Sequence, residues 1–241
     1  MLDPSSPCLF LKTFGTAALI ARNAAICPLR HKDVALLIFL RLECTRAISR
    51  SELGTLLWGD GTERTARHSL SQTLGRLRSV LGQEALLLWR DAVAWRRELP
   101  CDALLLDDPS ADASTVCQLY TGHFVAGLLL GRGADDFEAW ADAKRAHYRL
   151  RAIQLLERCA GEAERRGEPE RALGLSLRAV EIEPLFQAGH RRVMRAWDAL
   201  GERAFALRHY GALERTLRTE LGTLPDPCTR ALAAQLSERE G

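Results

Sequence analysis

One segment of the first half shows the most regular hydrophobic pattern in the chain. Between Thr62 and Leu81, leucines recur at spacings of four, three and four residues, at positions 70, 74, 77 and 81. This spacing places the leucine side chains on one face of an α-helix. The pattern therefore predicts a helix from Thr62 to Leu81 that buries a leucine stripe.

Two further helices are predicted before this one. The run from Arg30 to Cys44 is apolar over most of its circumference, which is typical of a helix covered on several sides. A second helix is predicted to begin at Ser49, whose side chain can cap the first turn, and to end at the glycine turn of residues 59–61. Two helices joined by a tight glycine turn indicate a helix-turn-helix.

Short β-compatible stretches flank the three helices. The predicted leading sheet consists of residues 9–14, 17–20 and 25–27. After Gly82, residues 85–89 and 92–95 predict a β-hairpin that turns at Arg90-Asp91. A sheet, three helices and a hairpin in this order predict a winged helix-turn-helix domain over residues 8–98.

Polar side chains cover the face of the third helix opposite its leucine stripe. Donors of this length, with Glu63 as the one acidic residue, suit insertion into a DNA major groove. Arg67 and Arg78 lie nearer the flanks, where phosphate contact is expected rather than base reading. A solvated surface face is the alternative, and the winged-helix context favours DNA. The polar face consists of His68, Gln72, Gly75 and Ser79, flanked by Arg64, Ser71 and Arg76.

The second half contains an internal repeat with a period of 34 residues. Three pairs of identical residues stand at this distance: Gly167 and Gly201, Ala172 and Ala206, and Leu173 and Leu207. Small residues let paired helices approach closely, and Pro184 is expected to end the first hairpin. Chance self-similarity of Arg- and Ala-rich helix is the alternative. The repeat predicts a tetratricopeptide-like helical domain over residues 99–241, with two or three hairpins.

Several aromatic residues are interpreted as core side chains. The core of the first helical hairpin is expected to contain Tyr120, Phe124, Phe137 and Trp140. Trp58 is expected to seal the winged-helix core rather than to stack against a base. His123 stands without a placed acid, nucleophile or metal partner, so we interpret it as structural rather than catalytic.

The charge balance also divides the chain near residue 98. Residues 1–98 carry 14 lysines and arginines against 9 acids, a net charge of +5. Residues 99–241 carry 19 against 22, a net charge of −3. A basic surface suits a polyanion, so we expect any DNA to bind to the first half.

Neither an enzyme nor a metalloprotein is expected. The sequence has no Gly-rich phosphate loop, no Gly-x-Ser-x-Gly motif and no cluster of histidines and carboxylates. Its seven cysteines include no Cys-x-x-Cys pair, so we interpret them as reduced thiols, several of them buried, rather than as zinc ligands or disulfides. No cofactor is predicted.

Nothing in the sequence predicts membrane insertion. The longest apolar runs, residues 34–40 and 128–130, fall far short of the roughly 20 residues that cross a bilayer. The first residues lack the basic start and long apolar stretch of a secretion signal. We therefore expect a cytoplasmic protein.

Separate motifs in a fixed order carry a resemblance to a known family. They are His31-Lys32 leading into residues 35–40, residues 49–53 and 56–58, Ser69-Leu70, Gln72, Leu74, residues 76–78, Leu81-Gly82, residues 119–124 and 137–140, and residues 220–222 before Pro225. Over about residues 8–235 the chain resembles bacterial transcription activators of the SARP type. In that family an OmpR-like winged helix precedes a tetratricopeptide-like activator domain, which implies a mainly α fold.

The resemblance also implies a function and a set of contacts. It implies binding to direct repeats in promoter DNA, usually by two protomers, and activation by contact with RNA polymerase. The third helix of such proteins reads the major groove. The resemblance therefore implies that bases are contacted by His68, Gln72, Thr73 and Arg76, and that Arg78 contacts phosphate.

The same helix departs from the family pattern and leaves an alternative open. Ser71 and Gly75 stand where relatives often carry a basic and a polar residue, and Val34 replaces a common basic residue. The alternative to DNA binding, favoured by this small number of basic residues, is a protein-interaction adaptor whose winged helix serves docking or dimerisation.

Overall fold

The longest buried run of the first half forms the helix α1 (His31–Glu43). In the computed structural model, which describes residues 9–21 and 23–238, every side chain of residues 33–40 is buried. This burial confirms the prediction of a helix covered on several sides. A short irregular segment then leads into the second helix.

The helices α2 (Arg50–Trp58) and α3 (Glu63–Leu81) both begin at a capping side chain. The backbone N–H of Glu52 donates to Oγ of Ser49 at 3.0 Å, which confirms Ser49 as the first N-cap. Thr62 caps α3 through its own Oγ1. All four leucines of the predicted stripe on α3 are buried, so the leucine pattern identified the core-facing side of this helix.

The strands form two small antiparallel sheets. The first is a hairpin of β1 (Leu9–Lys12) and β2 (Ala18–Ala21), and the second has the order β3-β5-β4, with β3 (Ile48–Ser49), β4 (Leu86–Leu88) and β5 (Ala92–Trp95). The hairpin of β4 and β5 is the predicted wing. The prediction of a third strand at residues 25–27 is wrong, because only Ile26 forms a single bridge, to Ile20. Ala24 turns the chain there with φ +61°.

The chain divides into two compact units. The first contains the described residues up to Asp108 together with residues 119–148, and the second contains residues 109–118 and 149 onwards. Cys8, at the start of the predicted winged-helix domain, lies outside the described residues. The boundary near Leu99 expected from the sequence stays a prediction.

Residues 119–148 complete the first unit through backbone pairing with its N-terminal hairpin. The N–H of Gly15 donates to the carbonyl of His123 at 3.0 Å, and the N–H of Val125 donates to that of Thr13 at 2.7 Å. The ring centroid of Phe14 lies 4.9 Å from that of Tyr120 and 5.3 Å from that of Tyr148.

Aromatic side chains from this region pack inside the first unit. The ring of Trp140 lies 5.1 Å from that of Phe39 on α1 and 5.8 Å from that of Phe124. The expectation that these residues build the first helical hairpin is therefore wrong. Backbone pairing between segments more than 100 residues apart places them elsewhere, and helical periodicity carries no information on such pairing.

A buried carboxylate fixes the start of the helix α4 (Asp102–Asp107). Asp102 is 1% exposed and accepts from the N–H groups of Thr13 and Phe14 and from the hydroxyl of Thr13 at 2.6–3.0 Å. A buried carboxylate is tolerated only when its oxygens are hydrogen-bonded in this way. Asp102 thereby holds the residues after the wing against the end of β1.

The second unit consists of helices. They are α5 (Ala113–Leu119) without its last residue, the later part of α6 (Asp135–Arg165), α7 (Pro169–Ile182), α8 (Gln187–Ala199), α9 (Arg203–Leu221) and α10 (Pro227–Glu238). The repeated glycines 167 and 201 lie in the turns before α7 and α9, with φ +69° and +78°. Ala172 and Ala206 are fully buried, so the repeat identified the close helix contacts correctly.

Membrane-spanning helices and metal-binding clusters are both absent from the residues that the structure describes. Across residues 9–21 and 23–238, no helix is long and apolar enough to cross a membrane. Within these same ranges, no group of three or more potential ligands is placed to hold a metal ion. The six cysteines that the structure describes are free thiols, and Cys101 is the buried one among them.

Candidate nucleic-acid interface

The exposed face of α3 lies between α2 and the wing. Five of the eight side chains predicted to contact DNA are exposed on it: Arg64, Arg67, His68, Ser71 and Gln72. Gly75 continues this face with open space around its Cα, so the backbone of α3 is accessible there. The face is therefore polar, it carries few basic side chains, and no side chain covers the backbone at Gly75.

His68 and Gln72 form one polar unit on consecutive turns of α3. The Nε2 atoms of the two side chains lie 2.9 Å apart. The amide nitrogen of glutamine only donates, so Nε2 of His68 accepts, and the imidazole proton resides on Nδ1. The unit thus presents the Gln72 carbonyl oxygen and the Nδ1–H of His68, an acceptor and a donor of the kind that base edges recognise.

Arg67 connects α3 to the turn of the wing. Its guanidinium lies 3.2 Å from the carboxylate of Asp91, and both side chains are more than half exposed. An exposed ion pair contributes about 0–1 kcal/mol, so it is readily exchanged for another anion. Arg67 is thus available to a phosphate at little cost.

Arg50, at the start of α2, was not predicted as a site residue. Its side chain donates to Oγ of Ser71 at 3.3 Å and to the backbone carbonyl of Trp89 at 3.0 Å. It therefore joins α2, α3 and the wing at the edge of the exposed face. No local sequence pattern signals this role, because the two partners lie 21 and 39 positions later in the chain.

Thr73 and Arg76 face inward rather than outward. Thr73 is 1% exposed, and its hydroxyl accepts from the guanidinium of Arg76 at 3.0 Å. Arg76 also donates from Nε and Nη2 to the two carboxylate oxygens of Asp33, at 2.9 and 2.7 Å. In this structure both side chains bind α1 instead of lying open on the face.

The carboxylate of Asp33 is charged despite its burial. Burial alone would raise its pKa, but the hydrogen bonds from Arg76, from the N–H of Arg30 and from Thr73 outweigh that effect and lower the pKa below its usual value. The Arg30 bond also caps the first turn of α1. Asp33 and Arg76 therefore form an ion pair that links α1 to α3.

Arg78 lies at the C-terminal end of α3. Its Nε donates to the carbonyl of Gln83 at 3.2 Å, in the turn that leads to β4. The side chain is partly buried, so a hydrogen bond to the protein competes with any contact to phosphate.

A basic cavity adjoins the exposed face. Its volume is about 350 Å³, and it lies between the start of α1, the middle of α3 and the loop at Leu129. Its lining includes Arg30, His31 and Lys32. In the sequence, Arg30 marked only the predicted start of the helix, and His31 and Lys32 marked only the family resemblance.

A family model described as the bacterial transcriptional activator domain matches residues 107–237. The chain belongs to the bacterial transcriptional activator domain family. The match covers more than half of the chain, including the helices from α5 to α9 in full. It confirms the activator family that the order of the sequence motifs predicted.

The fold agrees with that of a solved structure. The chain is similar to EmbR from Mycobacterium tuberculosis, solved in complex with a low affinity phosphopeptide, with a TM-score of 0.69 at 18% identity. The similarity covers 97% of this chain, which spans 66% of the EmbR chain. It confirms the predicted architecture of a winged helix followed by a helical domain. A comparison with curated protein sequences gave no match.

Proposed function

We propose that this activator-family chain is a sequence-specific DNA-binding transcription activator, and that α3 reads the major groove of promoter DNA. The single observation that carries the proposal is the division of α3 into two faces. Its leucine stripe is fully buried, while His68, Gln72 and Ser71 are exposed beside the wing. A helix with donors on one exposed face and a fixed opposite face fits a groove about 12 Å wide.

The roles of the predicted residues differ within this proposal. His68 and Gln72 read base edges, because they form a polar unit at the centre of the face. Arg64 and Arg67 bind phosphates at its flanks. Thr73 and Arg76 hold α3 against α1, and Arg78 fixes the end of α3, so these three position the helix and reach DNA only if their protein bonds exchange.

The second unit supplies the activating contact in this proposal. The binding site is a direct repeat, occupied by two protomers, and the helical unit contacts RNA polymerase. The family match over residues 107–237 supports an activator role for this region. The few cations on the α3 face support a need for two protomers, because each phosphate contact adds only part of the affinity.

The test combines a genome-wide map of bound sites with titration of one mapped site at rising salt. Binding through phosphates predicts a log-log slope of about −0.9 per contact. The Gln72→Ala variant is expected to lose affinity for the mapped site and to keep its affinity for random DNA. Gln154→Ala, at an exposed position of α6, is the matched control and should bind both DNAs as the wild type does. Salt-independent binding, or no bound sites, contradicts the proposal.

An adaptor function is the second candidate. The observation in its favour is that Arg76, the most central arginine of α3, is committed to Asp33. The double variant Arg67→Ala, Gln72→Ala separates the two functions. If gene activation and partner binding both survive in this variant, the winged helix serves docking; if activation is lost with DNA binding, it serves DNA recognition.

A further inference from the structure

We propose that the cavity between α1, α3 and the loop of residues 128–133 binds one backbone phosphate of the DNA strand beside the major groove, with Arg30 as its principal ligand. This inference rests on the proposed function and adds a contact outside the recognition helix. None of the residues predicted from the sequence to bind DNA lies on α1 or in this loop.

The position of the cavity relates it to the recognition face. Gln72 lines the cavity and also belongs to the exposed polar face, and Ser69 lines it one turn earlier. Any duplex whose groove admits His68 and Gln72 must carry a sugar-phosphate strand along the flank of α3. Of the lining residues, Gln72 on α3 and Arg30 before the first turn of α1 are exposed, so both can be reached by such a strand.

The charge of the lining favours an anion. Arg30, Lys32 and Arg76 contribute three cations, and Asp33 is the one acidic residue among the lining side chains. Its carboxylate is already bound by Arg76, so no lining carboxylate is left for Arg30 and Lys32. Asp60, outside the lining, acts on Lys32, which leaves Arg30 as the cation without an acidic neighbour in the lining. A phosphate diester carries one negative charge, and arginine binds phosphate oxygens in a fixed fork geometry.

Arg30 is the lining cation most available to a ligand. Its side chain is exposed and makes no cap hydrogen bond, because its backbone groups alone join the first turn of α1. The ammonium of Lys32, by contrast, donates to the carbonyls of Leu57 at 2.6 Å and Arg132 at 3.1 Å. An ammonium has three donors, so Lys32 keeps one for an anion and acts as the fixed part of the cavity.

The loop wall of the cavity is held in place before any ligand binds. Nδ1 of His31 donates to the carbonyl of Leu129 at 2.8 Å, and the N–H of Gly59 donates to that of Gly133 at 2.7 Å. Together with the Lys32 bond to Arg132, these contacts tie the loop to both helices that precede α3. A preformed site loses little conformational entropy on binding.

The test measures the salt dependence of DNA binding by the full chain with Arg30→Ala. If Arg30 contacts one phosphate, its removal should reduce the steepness of the log-log plot of affinity against salt concentration by about one. The affinity for the mapped site and for random DNA should decrease equally. Arg166→Ala, another exposed arginine but in the second unit, is the matched control and should leave the slope unchanged. Urea unfolding of both variants verifies that the fold is intact.

The possible outcomes separate this inference from the proposed function. If Arg30→Ala keeps the wild-type slope while Gln72→Ala still loses affinity for the mapped site, the phosphate site is disproved and DNA recognition stands. If the wild type shows no salt-dependent binding, both fail. A third arm titrates inorganic phosphate alone. If free phosphate stabilises the wild type but not Arg30→Ala, and the DNA slope is unchanged, the cavity binds a small anion and not DNA.

Discussion

Arg76 on α3 and Asp33 on α1 form two parallel hydrogen bonds, from Nε to Oδ2 at 2.9 Å and from Nη2 to Oδ1 at 2.7 Å. Asp33 is fully buried, and about a third of the Arg76 side chain is exposed. Bidentate pairs of this kind are among the stronger hydrogen-bonded contacts in proteins. The pair therefore fixes the rotation of α3 about its own axis, in addition to the leucine stripe beneath it.

Loss of the Asp33 charge should destabilise the first unit. For Asp33→Asn, which keeps the shape of the side chain, we expect a decrease of about 1–3 kcal/mol in the free energy of unfolding, because Arg76 loses its partner. Urea unfolding measures the change. The control is Asp91→Asn, which breaks the exposed pair with Arg67 and should cost at most about 1 kcal/mol. Equal losses in the two variants would contradict the structural role assigned to Arg76.

The leucine stripe of α3 provides a second prediction. Leu74 is 1% exposed, so Leu74→Ala should leave a cavity and lower the free energy of unfolding by about 2–5 kcal/mol. Leu129→Ala is the matched control, because this leucine is 77% exposed and its loss should change the stability by no more than about 0.5 kcal/mol. A small effect at Leu74 would mean that the stripe does not face the core.

Gly133, in the loop of residues 128–133, provides a prediction about backbone conformation. Its φ is +79°, and a Cβ added there would overlap the carboxylate of Asp60 and lie 3.0 Å from its backbone nitrogen. We expect Gly133→Ala to lower the stability by about 1–3 kcal/mol, because a residue with a side chain is strained in this conformation. Thermal unfolding tests this expectation.

Gly174→Ala is the control for Gly133→Ala. Gly174 lies in the middle of α7 with open space around it, so alanine should be neutral there or stabilise the protein by up to about 1 kcal/mol. A destabilisation of similar size in both variants would show that the effect at Gly133 is not conformational.

A pair of histidines in the second unit, His190 buried and His209 partly buried, predicts a pH dependence. One ring nitrogen of His190, Nε2, lies 2.9 Å from the carbonyl oxygen of Pro184, which only accepts, so Nε2 donates. The other, Nδ1, lies 2.8 Å from Nε2 of His209. When His190 is neutral, Nδ1 carries no proton and accepts from His209, and protonation of Nδ1 removes this acceptor.

Burial lowers the pKa of both histidines, and the charge of His190 lowers that of His209 further, to about 4. The folded pKa lies below the ordinary value of 6.5, so the unfolded chain binds more protons between these two values. The stability is therefore complete above pH 6.5 and decreases as the pH falls towards 4. Urea midpoints at about pH 7.5 and about pH 5 should show this decrease.

His209→Gln should weaken the pH dependence of the urea midpoint, because it removes one of the two imidazole rings that protonation would charge. His123→Gln, at an exposed position in the first unit, serves as the control and should keep the wild-type decrease. An unchanged pH dependence in His209→Gln would show that other groups control the acid response.

Local patterns in the sequence predicted much of the winged helix. The spacing of the leucines identified the buried side of α3, and the short side chain of Ser49 identified the start of α2. Both features depend on residues within a few positions of each other, so they can be recognised without knowledge of the fold. Gly167 and Gly201 marked helix turns for the same reason.

The orientation of single polar side chains could not be predicted in this way. A helical wheel places Arg76 beside the exposed face, yet Asp33, which lies 43 positions earlier in the sequence, draws it inward. The pairing of residues 13–16 with residues 123–126 was equally hidden, because neither segment shows which partner it will meet. The site residues that depend on such long-range contacts required the structure.

The backbone pairing of residues 13–16 with residues 123–126 has an evolutionary consequence. Recombination that exchanged residues 9–98 with another regulator would separate Phe14 from Tyr120 and Tyr148, the rings against which it packs. A crossover after Tyr148 would keep these partners together but interrupt α6 in mid-helix. Neither crossover leaves both the first unit and α6 intact, so the surface of α3 should diversify by point substitution rather than by exchange of whole modules.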